Sequence, residues 1–100
     1  MRRFKFGLIG CGRIAPNHAR NIVELENAEL KAVCDVLSEK AFKYSQEYGA
    51  EVYTDYRKLL ERPDVEIVAI ATPSGLHAEI GIAAANAGKH VIVEKPMALS

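Results

Sequence analysis

Gly10, Gly12 and Ala15 form a Gly-x-Gly-x-x-Ala turn between the apolar run Phe4–Ile9 and a segment of helical period that begins at Arg13. Gly10 permits a tight turn, Gly12 lets backbone N–H groups approach a bound anion, and Ala15 is small enough for close helix–strand packing. A helix opening there adds free N–H donors and partial positive charge beneath that anion. Asp35 closes a second apolar run, Glu29 to Asp35. A carboxylate at that place accepts hydrogen bonds from both hydroxyls of an adenosine ribose. Turn, helix and carboxylate together describe a dinucleotide site, whereas the glycine pattern alone would be a weak signal. The plainer alternatives are a glycine-rich turn and an exposed turn aspartate. Asp35 would repel a 2′-phosphate and no arginine directly follows it, so NAD is expected ahead of NADP. Arg13 has two readings, a phosphate contact or a solvated arginine at a helix start.

Other polar residues are less committed. His77 falls in the first turn of a helix facing the same crevice and is read as a cofactor or substrate-pocket residue. His18 shares a helical side with Ile14 and Ile22 and His90 begins a strand, so both are read as structural. The three histidines are far apart in sequence and form no compact metal-ligand motif. Cys11 reads as a small loop filler rather than a nucleophile. With Cys34 it makes too few cysteines for a disulfide scaffold, and both are expected as reduced thiols.

These residues must be held by an alternation of strands and helices. Phe4–Ile9 is a buried strand ended by glycine. From Arg13 to Leu25, Ala15, Ala19, Ile22 and Val23 share a helical face, and Pro16 falls in the first turn, where its missing N–H loses no bond. After the second strand, Ser38 is expected to cap a helix whose Ala41, Tyr44 and Tyr48 share a face, with Gly49 as its stop. Val52-Tyr53 is a short third strand, and Asp55 caps a brief helix that ends before Pro63. Val65 to Ala71 is almost wholly apolar, as a strand covered on both faces should be. Ser74 caps a helix carrying Leu76, Ile80, Ala83, Ala84 and Ala87 on its period, Gly88 ends it, and His90 to Val93 is a fifth strand. The expectation is α/β, an open, doubly wound and mostly parallel sheet of order 3-2-1-4-5, with its crevice between strands 1 and 4. Residues 1–100 are read as the N-terminal portion of a dinucleotide-binding domain, cut before its last strand.

Two further segments carry a family likeness. Ala71-Thr72-Pro73-Ser74-Gly75-Leu76-His77 follows the fourth strand, and Glu94-Lys95-Pro96 follows the fifth. With Gly-Leu-Ile-Gly-Cys-Gly-Arg-Ile-Ala at 7–15, they resemble the glucose–fructose oxidoreductase, inositol dehydrogenase and MocA family (Gfo/Idh/MocA). The resemblance runs the length of the chain. It implies an N-terminal Rossmann domain, a C-terminal α/β domain absent from these residues, and NAD(P)-dependent oxidation or reduction of sugars, cyclitols and related compounds. It further implies that Gly10, Gly12, Arg13, Ile14, Asp35, Thr72, Pro73 and His77 bind cofactor. Glu94 would help hold the nicotinamide ribose, and Lys95 would reach the reacting hydroxyl. Many members carry Asn where this chain has Ser74. The segment 12–18 also looks like dehydrogenases acting on nucleotide-linked amino sugars.

The chemistry of Lys95 agrees with that role. Oxidising a secondary alcohol needs its hydroxyl proton removed, and the reverse needs a donor to the carbonyl oxygen. A lysine at a strand's carboxyl end beside the crevice can do both, and Pro96 restricts it to extended geometry. An isolated lysine there would be read as a surface residue; Glu94 and Pro96 favour function. Besides an unrelated nucleotide-binding fold, two readings of the whole follow. One is the cofactor half of an NAD-dependent dehydrogenase, inactive without the remainder of an enzyme expected to be a homo-oligomer. The other is a non-catalytic NAD(P)-binding sensor or interaction module.

Composition excludes other classes. The 100 residues carry 13 basic and 13 acidic side chains, so no basic face is available for nucleic acid. At 49% hydrophobic and 26% charged, the chain is ordinary for a globular protein and poor for disorder. The apolar run Phe6–Ile9 is far shorter than an export signal's core, and no stretch approaches a membrane span. A soluble, cytoplasmic location is expected.

Overall fold

The computed structural model describes residues 4–11, 15–25, 27–72 and 74–93, the side chains of 15–18, 74–77 and 93 excepted. Among the described residues nine elements alternate: β1 (Phe4–Ile9), α1 (Ala15–Glu24), β2 (Ala28–Cys34), α2 (Ser38–Tyr48), β3 (Glu51–Tyr53), α3 (Tyr56–Leu60), β4 (Ile67–Ile70), α4 (Ser74–Asn86) and β5 (His90–Val93). The five strands form one sheet of order β3-β2-β1-β4-β5, and every pairing is parallel. The expected order is therefore the observed one.

Two cores flank the sheet. Phe6, Leu8, Leu30, Val33 and Ala69 pack with Ala19 and Ile22 of α1 and Ala41 and Tyr44 of α2. Ile9, Ala32, Cys34, Val68 and Ile70 pack on the opposite face with Leu59 of α3 and Ile80 and Ala84 of α4. Leu30 and Ala32 are two residues apart yet face opposite sides, against the ordinary strand period of two. A register shift explains this: Phe6 pairs with Leu30 but Gly7 with Ala32, so Lys31 is bulged out. At the same level a Cβ on Gly7 would stand 2.8 Å from Leu59 Cδ2, which shows how closely α3 is seated on the central strand.

Several local expectations need correction. Ser38 does not cap α2: the cap position is Leu37, with no side-chain bond. Instead the Leu37 N–H is drawn back onto Asp35 Oδ1 at 2.9 Å, which moves the helix start. Ser74 is already the first helical residue of α4 rather than its cap. The fourth strand is shorter than 65–71: it runs Ile67–Ile70, with Val65 buried ahead of it and Ala71 N–H still reaching Ile9 O at 2.8 Å. Val23 is 37% exposed, at the edge of the α1 stripe, and Ala87 lies exposed in the turn after α4. Asp55 does cap α3, accepting from Arg57 N–H, and Gly49 and Gly88 end their helices at positive φ.

Candidate dinucleotide site

The site lies where four strands end. Gly10 follows β1 with φ +95°, a conformation open to glycine, and its N–H donates to Cys34 O at 2.7 Å. A Cβ on Gly10 would stand 2.8 Å from Ala71 C, Thr72 N and Thr72 Cγ2. The exits of β1 and β4 are thus in close contact at the point where strand order reverses, which is where open α/β sheets bind ligands.

Asp35 joins this turn to the next one. Its Oδ2 accepts the Cys11 N–H at 2.8 Å, while Oδ1 takes Leu37 N–H. Its own N–H is held by Tyr53 O at 3.1 Å, which fixes the exit of β2 against β3. The Cys11 thiol points inward, 3.6 Å from Cys34 O. Burial, then the Asp35 charge, pushes its pKa up to about 12, and the same two causes push Cys34 up to about 12. Both cysteines are free and buried. A thiol so hard to ionise is a poor nucleophile, as expected for a loop filler.

A cleft of about 730 Å³ opens beside these turns on the α3 and α4 side of the sheet. That is a size typical of small-molecule sites. Ile9 and Cys34 line it near the sheet, Asp35 and Thr72 stand on two of its sides, and Lys40 and Arg57 also reach it. It extends past the expected crevice between β1 and β4 as far as the exits of β2 and β3. Its far wall was not anticipated from sequence. There Tyr56 Oη donates to Glu79 Oε2 at 3.0 Å, joining α3 to α4, and the Arg57 guanidinium lies 5.2 Å from the Tyr56 ring centre. Position was the available signal, since Thr54 and Asp55 follow the third strand as Asp35 follows the second. Val36, 84% exposed, and Leu37 present apolar surface immediately beyond Asp35.

The structure thus brings together Gly10, Asp35 and Thr72 of the expected site residues. Gly12, Arg13, Ile14, Pro73, Glu94 and Lys95 lie outside the described residues. His77 is in the first turn of α4, as expected, with its side chain not described. His90 begins β5 and is exposed, and the side chain of His18 is not described. Among the described residues no group of three His, Cys, Asp or Glu could hold a metal ion, and no helix is long and apolar enough to cross a membrane.

The residues present fit a dinucleotide. Gly10 leaves no room for a side chain, and the Asp35 carboxylate beside it is anchored by two backbone N–H groups among the described residues. Comparison with known proteins agrees. The family model for an oxidoreductase family with an NAD-binding Rossmann fold (GFO_IDH_MocA) matches residues 4–100. Myo-inositol 2-dehydrogenase of Thermotoga maritima is 37% identical over 97 residues, covering 96% of this chain and 29% of that protein. Scyllo-inositol dehydrogenase from Lactobacillus casei, solved with NAD(H) and scyllo-inositol, superposes with TM-score 0.89 at 36% identity over 99% of this chain and 30% of its own. The WlbA dehydrogenase from Bordetella pertussis, solved with NADH and UDP-GlcNAcA, gives TM-score 0.90 at 39% identity over 98% of this chain and 30% of its own. The chain spans about 30% of the length of such relatives.

Proposed function

Since the chain belongs to the Gfo/Idh/MocA oxidoreductase family as an NAD-binding Rossmann domain, we propose that the whole protein is an NAD-dependent dehydrogenase of a sugar, cyclitol or nucleotide-linked sugar. The observation that carries this reading is the meeting of Gly10, Asp35 and Thr72 at the carboxyl end of the sheet. Bound NAD supplies the acceptor for a hydride leaving the substrate's carbinol carbon.

The chain's own residues have separable tasks. Gly10 and Gly12, with Arg13 and Ile14, cradle the pyrophosphate on backbone donors. Asp35 accepts the adenosine ribose hydroxyls and disfavours a 2′-phosphate. Thr72, Pro73 and His77 border the cofactor from the β4 side, and Glu94 steadies the second ribose. Lys95, two residues beyond β5, takes the substrate hydroxyl proton during oxidation and returns it during reduction.

A nucleotide-linked amino sugar is the second substrate reading. It is favoured by the 39% identity to WlbA, solved with UDP-GlcNAcA, and by the Gly-Arg-Ile-Ala-Pro-Asn-His segment at 12–18. The test is NAD reduction by the whole protein against inositols, free sugars and UDP-linked amino sugars. Turnover on one class is expected. Absence of turnover across the panel, with NAD shown to bind, would overturn the enzymatic reading. In the same assay Lys95→Met should lower the turnover number by about 10²–10⁴ while NAD affinity changes little.

A further inference from the structure

We propose that Asp35 is a positioning residue for the glycine-rich turn as well as a ligand for ribose, so that one carboxylate couples the two halves of the dinucleotide site. The geometry is direct. Cys11 lies between Gly10 and Gly12, inside the turn that takes pyrophosphate, and its N–H is bonded to Asp35 Oδ2 at 2.8 Å. The other oxygen holds Leu37 N–H at 2.9 Å in the turn that opens α2. Each carboxylate oxygen has two acceptor directions. Among the described residues one on each is occupied by a backbone amide, and the second on each is the direction a vicinal diol would use. The anchored carboxylate is therefore already oriented before any ligand arrives, and the turn is tied to it.

Removing Asp35 should then weaken ligands that have no ribose hydroxyl to offer. A carboxylate that served ribose alone would leave such ligands unaffected. Neither serine nor asparagine replaces both bonds: serine lacks the reach and the second oxygen, and asparagine has only one acceptor oxygen. Replacing Asp35 to admit NADP should accordingly loosen the turn on which both cofactors depend.

The ligand arm of the test rests on the cofactor reading above; the exchange arm does not. Amide hydrogen exchange of the whole protein is compared for the unmodified form, Asp35→Ala and Asp35→Asn, without ligand. The Cys11 and Leu37 amides should exchange about tenfold faster in the alanine form, the size expected for a lost bond to a charged acceptor. The asparagine form should lose one of the two. The Gly10 and Ala71 amides, bonded to Cys34 O and Ile9 O, report whether the sheet is intact. If the alanine form fails to fold, the near-isosteric asparagine form decides. In the second arm, a dinucleotide lacking both adenosine-ribose hydroxyls should bind Asp35→Ala about tenfold more weakly than the unmodified protein. Unchanged Cys11 exchange in folded Asp35→Ala, unchanged exchange of both Cys11 and Leu37 amides in Asp35→Asn, or equal affinity for the dideoxy dinucleotide would overturn the proposal. If NAD itself does not bind the unmodified protein, the cofactor reading fails while the exchange arm still decides the tether.

Discussion

The two ends of the sheet solve opposite problems with mirror-image chemistry. At the carboxyl end an anion, Asp35, gathers two backbone N–H donors. At the amino end a cation, Lys89, gathers two backbone acceptors: its Nζ donates to Arg62 O at 2.6 Å and to Val65 O at 2.7 Å. Both side chains tie neighbouring loops together. The difference lies in what is left over. Arg62, beside Lys89, spends both nitrogens of one guanidinium edge on Asp64, at 2.9 Å each, and its third nitrogen on Tyr53 Oη and Glu51. There the charged groups are spent on one another and on backbone carbonyls, whereas among the described residues Asp35 accepts only those two N–H groups and stands beside an open cleft. The same kind of bond closes one end and prepares the other.

The sharpest way to break this comparison is a pair of glycine substitutions, one at each end. Gly10 and Gly88 both have positive φ, +95° and +79°. A Cβ at Gly10 meets backbone at 2.8 Å, while at Gly88 nothing lies within 4 Å. Gly88→Ala should therefore cost about 1 kcal/mol, from backbone strain alone. Gly10→Ala adds overpacking against rigid backbone and should exceed about 3 kcal/mol. Denaturant unfolding compares the two, and dinucleotide titration should show loss only for Gly10→Ala. Equal costs would mean that the β1 and β4 exits yield readily and that the site end is not specially built.

Next in size is Lys89→Met. The methylene stem survives, but two carbonyls lose a charged donor, for an expected cost of about 2–3 kcal/mol. Burial also pulls the Lys89 pKa down, so its ammonium is already under some strain from desolvation. Dinucleotide affinity should not change, because the lysine sits at the far end of the strands. A variant that folds normally but binds NAD poorly would show that the two ends are coupled.

The Arg62–Asp64 pair gives the amino end a pH signature. The Arg62 hydrogen bonds hold the Asp64 carboxyl down to about 2. A depressed carboxylate pKa contributes stability that is full above its ordinary value of about 3.9 and lost as pH falls through the folded value. Acid unfolding of the unmodified protein should therefore show a loss of about 1 kcal/mol between about pH 4 and 2, allowing for partial solvent screening. Asp64→Asn should flatten that limb and lower stability at neutral pH. An unaltered acid limb in Asp64→Asn would assign the loss to other carboxylates.

Sequence reading reached the carboxyl end more easily than the amino end, for a physical reason. Gly10, Asp35 and the β4 exit are marked by residue types that ordinary loops do not require, in an order set by strand–turn–helix alternation. Lys89, between Gly88 and His90, looks like any solvated loop lysine, because its partners are backbone carbonyls that carry no sequence identity. The Lys31 bulge was equally hidden: alternation would put Leu30 and Ala32 on one face, and only pairing with β1 separates them. Residue type marks Ser38 as a cap, but the helix already includes it, because the cap position falls on Leu37, whose N–H is held by Asp35 Oδ1. The Tyr56 and Glu79 wall escaped notice because two helices supply it, 23 residues apart in the chain.

That wall offers the smallest test. The Tyr56 phenol is raised above its ordinary value, chiefly by its hydrogen bond to Glu79, then by burial and the Glu79 charge. The neutral phenol is the donor, so the bond is present below the ordinary tyrosine value of about 10 and is lost as pH rises through the raised one. Tyr44 and Tyr48 are raised as well, chiefly by burial. The Tyr56 step is therefore read as the difference between ultraviolet titrations of the unmodified whole protein and of Tyr56→Phe, and it should lie above the ordinary tyrosine value. Glu79→Gln should move the step back towards the ordinary value, since an amide oxygen is a weaker acceptor and carries no charge. Both variants should fold normally, because the contact is exposed. If NAD shifts the same step further, the cofactor reaches the rim where α3 meets α4. An unshifted tyrosine step on saturation with NAD would confine the cofactor to the Asp35 side of the cleft, and the contrast between the two ends would narrow to the turns themselves.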